Sequence, residues 1–336
     1  MSTIHPGPSR EAGRSLVREW ARPILFGALV ALCLALVVSG AFLASGGNRA
    51  PVAPHRRAAT DAPAPLPEPP PSDAAPPDLV PGATPPTPIS YWPGPTTTGV
   101  PAGTVLRNQT GTLNLRTAGQ IVTNLNLTGC VNVYASNVQI LKSRITCNST
   151  TFAIRVITGA VKLLVQDVEV NGSGLTAAAI CCSDVTVNRS NVYNTIDAIR
   201  LGNNTTVINS YIHGLMPQPG SHNDTLQTTG GTGILVQHNR LEPYNAALKN
   251  PFNACIMIGS EQAPAVINLL FTDNYCDGGN YSIGVRTDLV ATNVRLTKCK
   301  YGRDFRYGII ARPNQTGIYF ERSTNVWFDN GLPVLP

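Results

Sequence analysis

Between residues 112 and 330 the apolar and polar positions repeat in a nine-residue pattern. It runs polar, apolar, any, apolar, two mostly polar, a small or Asn-like residue, any, apolar. It reads NVQILKSRI from Asn137, KLLVQDVEV from Lys162, DVTVNRSNV from Asp184 and NTTVINSYI from Asn204, then GILVQHNRL from Gly233, NLLFTDNYC from Asn268 and NVRLTKCKY from Asn293. NVWFDN from Asn325 reads as a truncated last copy and TLNLRTAGQ from Thr112 as a degenerate first one. Apolar residues alternate within each copy, which is strand period and not helix period. A second short apolar strand lies between copies: AIRV (153–156), AAI (178–180), AIRL (198–201), TLQT (225–228), CIMI (255–258), SIGV (282–285) and GIIA (308–311). Aligned on their middle apolar residue, these place Ile154, Ile180, Ile199, Leu226, Ile256, Ile283 and Ile309 in one column.

Two strands per repeat of about 20–30 residues, with no helical period between them, predict an all-β solenoid, a parallel β-helix. The seventh pattern position holds Ser143, Val168, Ser190, Ser210, Asn239, Asn274 and Cys299. Small polar residues suit a turn there, and stacked Asn or Ser side chains satisfy turn backbone, so this column reads as structural.

The pattern is absent from the first hundred residues, which divide in three. Residues 1–22 carry Arg10, Arg14, Arg18 and Arg22 against Glu11 and Glu19. Ile24 to Ala44 contains no charge, and as a helix it is long enough to cross a bilayer core. A transmembrane signal anchor is therefore predicted over 23–45, with the arginine-rich side in the cytoplasm and the remainder exported. If the anchor is cleaved the product is secreted. Seventeen of the 28 prolines fall between Pro51 and Pro101, so 46–101 reads as an extended Pro-rich linker. The β-helix is assigned to 102–336.

Composition narrows the chemistry only a little. Charged residues are 13 % and aromatics 6 %, and the net charge is +6. Residues 102–336 hold 18 Lys/Arg against 13 Asp/Glu, without the basic runs that bind nucleic acid, so no nucleic-acid partner is expected. Seven cysteines lie in the exported part. Cys130 with Cys147, and Cys255 with Cys276 or Cys276 with Cys299, are about one coil apart, and an oxidising location permits such bridges. Cys181 and Cys182 are adjacent, so at most one faces the interior. No Cys/His spacing suits zinc, and no metal ligands are assigned.

Long loops on a rigid scaffold are where a site is expected. Three coil steps are long, from 204 to 233, from 233 to 268 and from 293 to 325. The first two carry HGLMPQPGSHND (213–224) and EPYNAALKNPFN (242–253) on adjacent coils, as two walls of one groove. Beside them the second strands bring Asp197 and Asp224 to corresponding positions, with Arg200 and Gln227 facing outward and Arg155 two coils below. The domain's three histidines, His213, His222 and His238, fall in the same stretch. An Asp, Arg, His, Gln strip suits an acidic sugar. Arg neutralises a uronate carboxylate, and His or Tyr244 removes the proton alpha to it. The catalytic candidates are Asp224, His222, Arg200 and Asp197. The substrate-binding candidates are Gln227, His213, His238, Tyr244 and Lys249. The competing reading is structural, since Asp at the start of a coil strand also binds turn amides.

PGPTTTGVPAGTVL (93–106), the NVxIxxSxI coils, HND-x-x-Q (222–227) and CDGGNYSI (276–283) resemble exported bacterial right-handed β-helix proteins of the pectate-lyase-like superfamily. The resemblance covers 93–336. It implies a right-handed β-helix and a polysaccharide or cell-wall glycan as partner, in a lyase-like or epimerase-like role. It also allows calcium, although no loop here has a ligand pattern to claim it. Proteins of the superfamily differ in activity, so a non-catalytic glycan-binding or structural module is the alternative.

Overall fold

A computed structural model describes residues 88–335. The predicted membrane anchor and most of the linker lie outside them. Among the described residues no helix is long and apolar enough to cross a membrane.

These residues form short strands arranged in three sheets, every strand-to-strand pairing being parallel. Sheet I has ten strands, from Arg107–Thr110 to Val326–Trp327. Sheet II has nine, from Leu113–Leu115 to Gly308–Ile310. Sheet III has nine, from Ile121–Thr123 to Ile318–Phe320. The chain visits I, II and III in turn and climbs one strand spacing per circuit. The fold is a parallel β-helix with three strands per coil, where the pattern predicted two. Ten strands at about 4.8 Å spacing stack to roughly 43 Å.

The third strand was hidden inside the nine-residue pattern. In the copy from Asn137, Gln139–Leu141 belongs to sheet III and Arg144–Thr146 to sheet I. The chain turns a corner between them, and backbone conformation shows how. The first pattern position is left-handed in Asn137, Lys162, Asp184, Asn204, Asn268 and Asn293, with φ of 52–60°. The sixth is left-handed in Lys142, Asp167, Arg189, Asn209, His238, Asp273 and Lys298, with φ of 45–57°. Asn, Asp and His tolerate this region better than other side chains, which accounts for their recurrence.

The same φ signature corrects the end coils. Gly119 (φ 72°) with Asn124 (φ 54°) marks the first sheet III copy, and Gly317 (φ 84°) marks the last. Neither Thr112 nor Asn325 begins a copy. The step from 293 is therefore ordinary in length, and only the first two expected loops are long. Register in sheet II follows the predicted column from Ile154 to Ile283, then continues to Ile310 in place of Ile309.

The seventh-position column is buried throughout and bonded from coil to coil. Ser190 N donates to Ser210 Oγ (3.1 Å), Ser210 N to Asn239 Oδ1 (2.9 Å) and Asn239 N to Asn274 Oδ1 (2.9 Å). Cys299 N donates to Asn325 Oδ1 (3.0 Å), so Asn325 is a corner residue. Each ladder side chain also returns a bond to backbone, as Asn274 Nδ2 does to Val236 O (3.0 Å). The structural reading of this column holds.

Disulfides join Cys130 to Cys147 and Cys255 to Cys276, with Cα separations of 4.9 and 6.0 Å. Cys181 and Cys182 are paired side by side, and Cys299 is buried and free. The segment before the first coil is folded onto the stack. Trp92 Nε1 donates to Asp273 O (3.2 Å), and Gly99 N donates to Arg189 O (2.9 Å), three coils away along one corner.

The ladder makes a quantitative expectation. Asn274→Ala leaves the Asn239 amide buried without its acceptor and Val236 O without the Asn274 Nδ2 donor, while Asn239 Nδ2 keeps Val207 O and Gln237 O. A loss of about 3 kcal/mol is expected in urea denaturation. The control is Asn126→Ala, which breaks an exposed bond to Asn108 (2.8 Å) and should cost well under 1 kcal/mol.

Candidate functional site

Sheet II carries the acid pair. Its strands Asp197–Leu201 and Asp224–Thr228 are neighbours, with Ile199 opposite Leu226 and Arg200 opposite Gln227. Ile199 and Leu226 are fully buried, and Arg200 and Gln227 lie on the outer side. Residues three apart face opposite ways along a regular strand. Yet Arg200 Nη2 meets Asp197 Oδ2 at 3.4 Å, so the corner into sheet II turns Asp197 to the outer side.

Both acids are nonetheless covered. Asp197 is 4 % exposed and Asp224 has no exposed surface. The Asp224 amide donates to Asp197 Oδ1 (3.1 Å), and Asn253 Nδ2 donates to Asp224 Oδ1 (2.9 Å). Each carboxylate thus ties its strand to the next coil, as a turn-binding Asp does. Two buried polar atoms remain without a partner, Asp224 Oδ2 and Arg200 Nε. Burial pushes the Asp197 carboxyl up to about 6, against the Asp224 amide and the charge of Arg200. Burial, then the neighbouring charge of Asp197, pushes Asp224 well above the usual carboxylate range. A desolvated acid beside a second acid holds its proton near neutral pH.

His222 is exposed, and its charge acts on Asp197. His213 belongs to sheet I, stacked on Tyr211 (ring centroids 4.0 Å) and Tyr193 (5.5 Å), with Nε2 3.0 Å from Asn191 Oδ1. Burial lowers its pKa to about 4, so it is neutral. His238 occupies a left-handed corner position, and its Nδ1 lies 2.9 Å from Asp273 Oδ2 on the next coil. Arg189 and Asp167 form the same kind of corner pair at 2.8 Å. Clustering in sequence therefore did not become clustering in space, because a coil of about 25 residues passes all three sheets.

The two long loops are adjacent, as expected. Both connect sheet I to sheet II, and Asn245 Nδ2 donates to Leu215 O (3.2 Å) across them. Asn223 of the HND-x-x-Q stretch is buried and donates to Ile196 O (2.9 Å) and Met216 O (2.8 Å). Tyr244 is half-buried against Gly278, where a Cβ would lie 2.7 Å from Tyr244 N. Lys249 is exposed at the loop tip.

Several outward residues of sheet II were not singled out from the sequence. Phe152 lies beneath two guanidinium groups, Arg155 at 5.5 Å and Arg200 at 5.7 Å from its ring centre. Arg286 lies across Gly259, where a Cβ would strike its side chain. Arg286 is held by Asp288 (2.8 Å) and Glu261 (3.3 Å). Parity of the second strands puts Arg155, Arg200 and Gln227 in one outer column but does not find Phe152, which lies two residues before Ile154 and shares its parity. Among the described residues no group of three His, Cys, Asp or Glu side chains is placed to hold a metal ion. Neither a protein-family model, nor a curated protein, nor a solved structure matches the chain.

The two raised carboxyl groups and the lowered histidine give opposite pH signatures. A raised acid contributes stability that is present below its ordinary 3.8 and is lost as pH climbs through about 6 for Asp197. His213, lowered from 6.5, contributes above that value and loses the contribution as pH falls toward about 4. From about pH 4 to pH 7, Asp197→Asn should therefore gain in melting temperature relative to the wild type. His213→Gln should gain relative to the wild type as pH falls from about 6.5 to 4. A difference that does not change with pH would show that these groups titrate normally.

Proposed function

We propose that the β-helix binds an acidic polysaccharide along the outer face of sheet II and acts on it by β-elimination, with Arg200 and Asp197 as the working pair. The observation that carries this reading is the Asp197–Arg200 contact, a buried acid with a raised pKa held by a half-exposed guanidinium. A uronate carboxylate that takes Arg200 as its bidentate partner leaves Asp197 as a neutral acid facing the groove. His222 then accepts the proton alpha to the carboxylate, the bond from the sugar to the glycosidic oxygen breaks, and Asp197 delivers its proton to that oxygen. A carbon–carbon double bond remains in the product. A hydrolase fits less well, because it needs carboxyl groups flanking the scissile bond, and these two share one column of one sheet.

The coils are proposed to wind right-handed, as parallel crossovers almost always do, and to place the chain among the pectate-lyase-like β-helices. Two inter-coil disulfides support an exported, oxidising location. Tethering to a membrane through residues 23–45 accords with that location. One observation favours a second reading, a non-catalytic glycan-binding module. Asp224 is fully buried, and both acids are engaged in bonds that stabilise the coil.

Incubation with a panel of uronate polysaccharides separates the readings, with ultraviolet absorbance reporting the unsaturated product. Elimination predicts a signal that Asp197→Asn lowers at least about a hundredfold, the usual scale for loss of a general acid. Arg200→Ala should lower it as well. Binding by calorimetry without any absorbance change would establish the module reading.

A further inference from the structure

The register of sheet II gives the acid pair symmetrical neighbours along the stack. Going down, Asp197 is opposite Ala178, and Ala178 is opposite Phe152. Going up, Asp224 is opposite Ala254. The pairing of Ile256 with Ile283 then sets Tyr281 opposite Ala254. The column therefore reads aromatic, Ala, Asp, Asp, Ala, aromatic. All six residues begin a strand of sheet II, or open its first turn, at equivalent places in successive coils.

The two aromatic rings are on the outer side. Phe152 shares its surroundings with the Arg155 and Arg200 guanidinium groups. Tyr281 lies over Gly308, its ring carbon 3.5 Å from where a Cβ would be, and packs with exposed Tyr307 at 5.7 Å between ring centres. Neither ring is needed by the core, and both are partly exposed. Ala254 belongs to the same face, since its Cβ lies 3.4 Å from a Cβ built on Gly284. Small residues thus separate each aromatic from the acids.

We propose that Phe152 and Tyr281 are the end platforms of an extended subsite that takes an acidic oligosaccharide lying along the stack axis, across the strands. This rests on the acidic-polysaccharide reading above and adds its length and specificity. Five coil spacings separate the platforms, about 24 Å, a reach of several sugar residues. A ligand bridging both platforms passes Asp197 and Arg200 at its centre. Arg155 and Arg200 meet the carboxylates, and flat rings at the ends stack on sugar faces.

The test measures binding of uronate oligomers of increasing length to the full chain by calorimetry, with circular dichroism confirming that each variant folds. The wild type should bind long oligomers at least about tenfold more tightly than dimers or trimers, a gain of the size that one or two anchoring side chains confer. Phe152→Leu and Tyr281→Ala should each remove most of that gain, and Tyr281→Phe should restore it. If short oligomers bind and Arg200→Ala weakens them, but affinity neither rises with length nor responds to Phe152→Leu and Tyr281→Ala, the platforms are refuted and the acidic-sugar reading stands. If neutral oligosaccharides show the length dependence and its loss in both variants, the platforms stand and the acidic specificity falls. Absence of binding by any uronate or neutral oligomer would overturn both.

Discussion

Three parallel sheets can close around one core only if the chain turns at the same places in every coil. Each turn leaves backbone donors inside a dry interior, and such groups must be paired. This protein meets the constraint at the corner between sheets III and I. A left-handed residue at the sixth pattern position swings the chain, and the buried residue after it bonds the corner above or below. Ser210, Asn239 and Asn274 form the continuous part of that ladder. The stacked Ile, Leu and Val columns depend on it, because a slip of one residue at any corner would turn an apolar strand outward.

Once the corners hold register, sheet II becomes a fixed plate on which side chains from distant parts of the chain align. Asp197 and Asp224 are 27 residues apart in sequence and joined by a hydrogen bond. The loops lie on the I-to-II connection because added residues there leave the ladder corner untouched. The acids do two jobs at once. They fasten coils together, and their burial keeps protons on them that free carboxyl groups would lose. Arg200 links these roles, with one nitrogen on Asp197 and another buried without a partner. That residual polarity distinguishes the pair from an ordinary buttress such as Arg189–Asp167, where two donors meet two acceptors at 2.8 and 2.9 Å.

Histidine placement shows where sequence proximity misleads. His213, His222 and His238 lie close along the chain but were sent to sheet I, to the sheet II side and to a corner. Each coil passes all three sheets, so residues near in sequence diverge while residues one coil apart converge. His238 could have been recognised as a corner residue, since it shares the sixth pattern position with Asn209 and Asp273. His213 is set by ring stacking with Tyr193 and Tyr211, which no local pattern encodes.

The sequence by itself determined the solenoid. Strand alternation, the recurring Asn and Asp of the corners and the column of small polar residues are local consequences of backbone conformation, and they repeat because every coil solves the same problem. It also determined the second-strand register over most of its length, and the Cys130–Cys147 pair one coil apart. Only the tertiary structure decided the number of strands per coil: the two polar residues at the fifth and sixth pattern positions shift the alternation, and the left-handed sixth residue makes that shift a corner between two strands. Only it chose Cys276 as the partner of Cys255 over the alternative with Cys299. It also decided which polar residues share a face, since that depends on stacking distance between coils and on how each corner rotates its first side chain. Phe152 and Tyr281 belong with the acid pair for that reason alone. They are far apart in the chain and unremarkable in their own segments, and the register of sheet II brings them into one line.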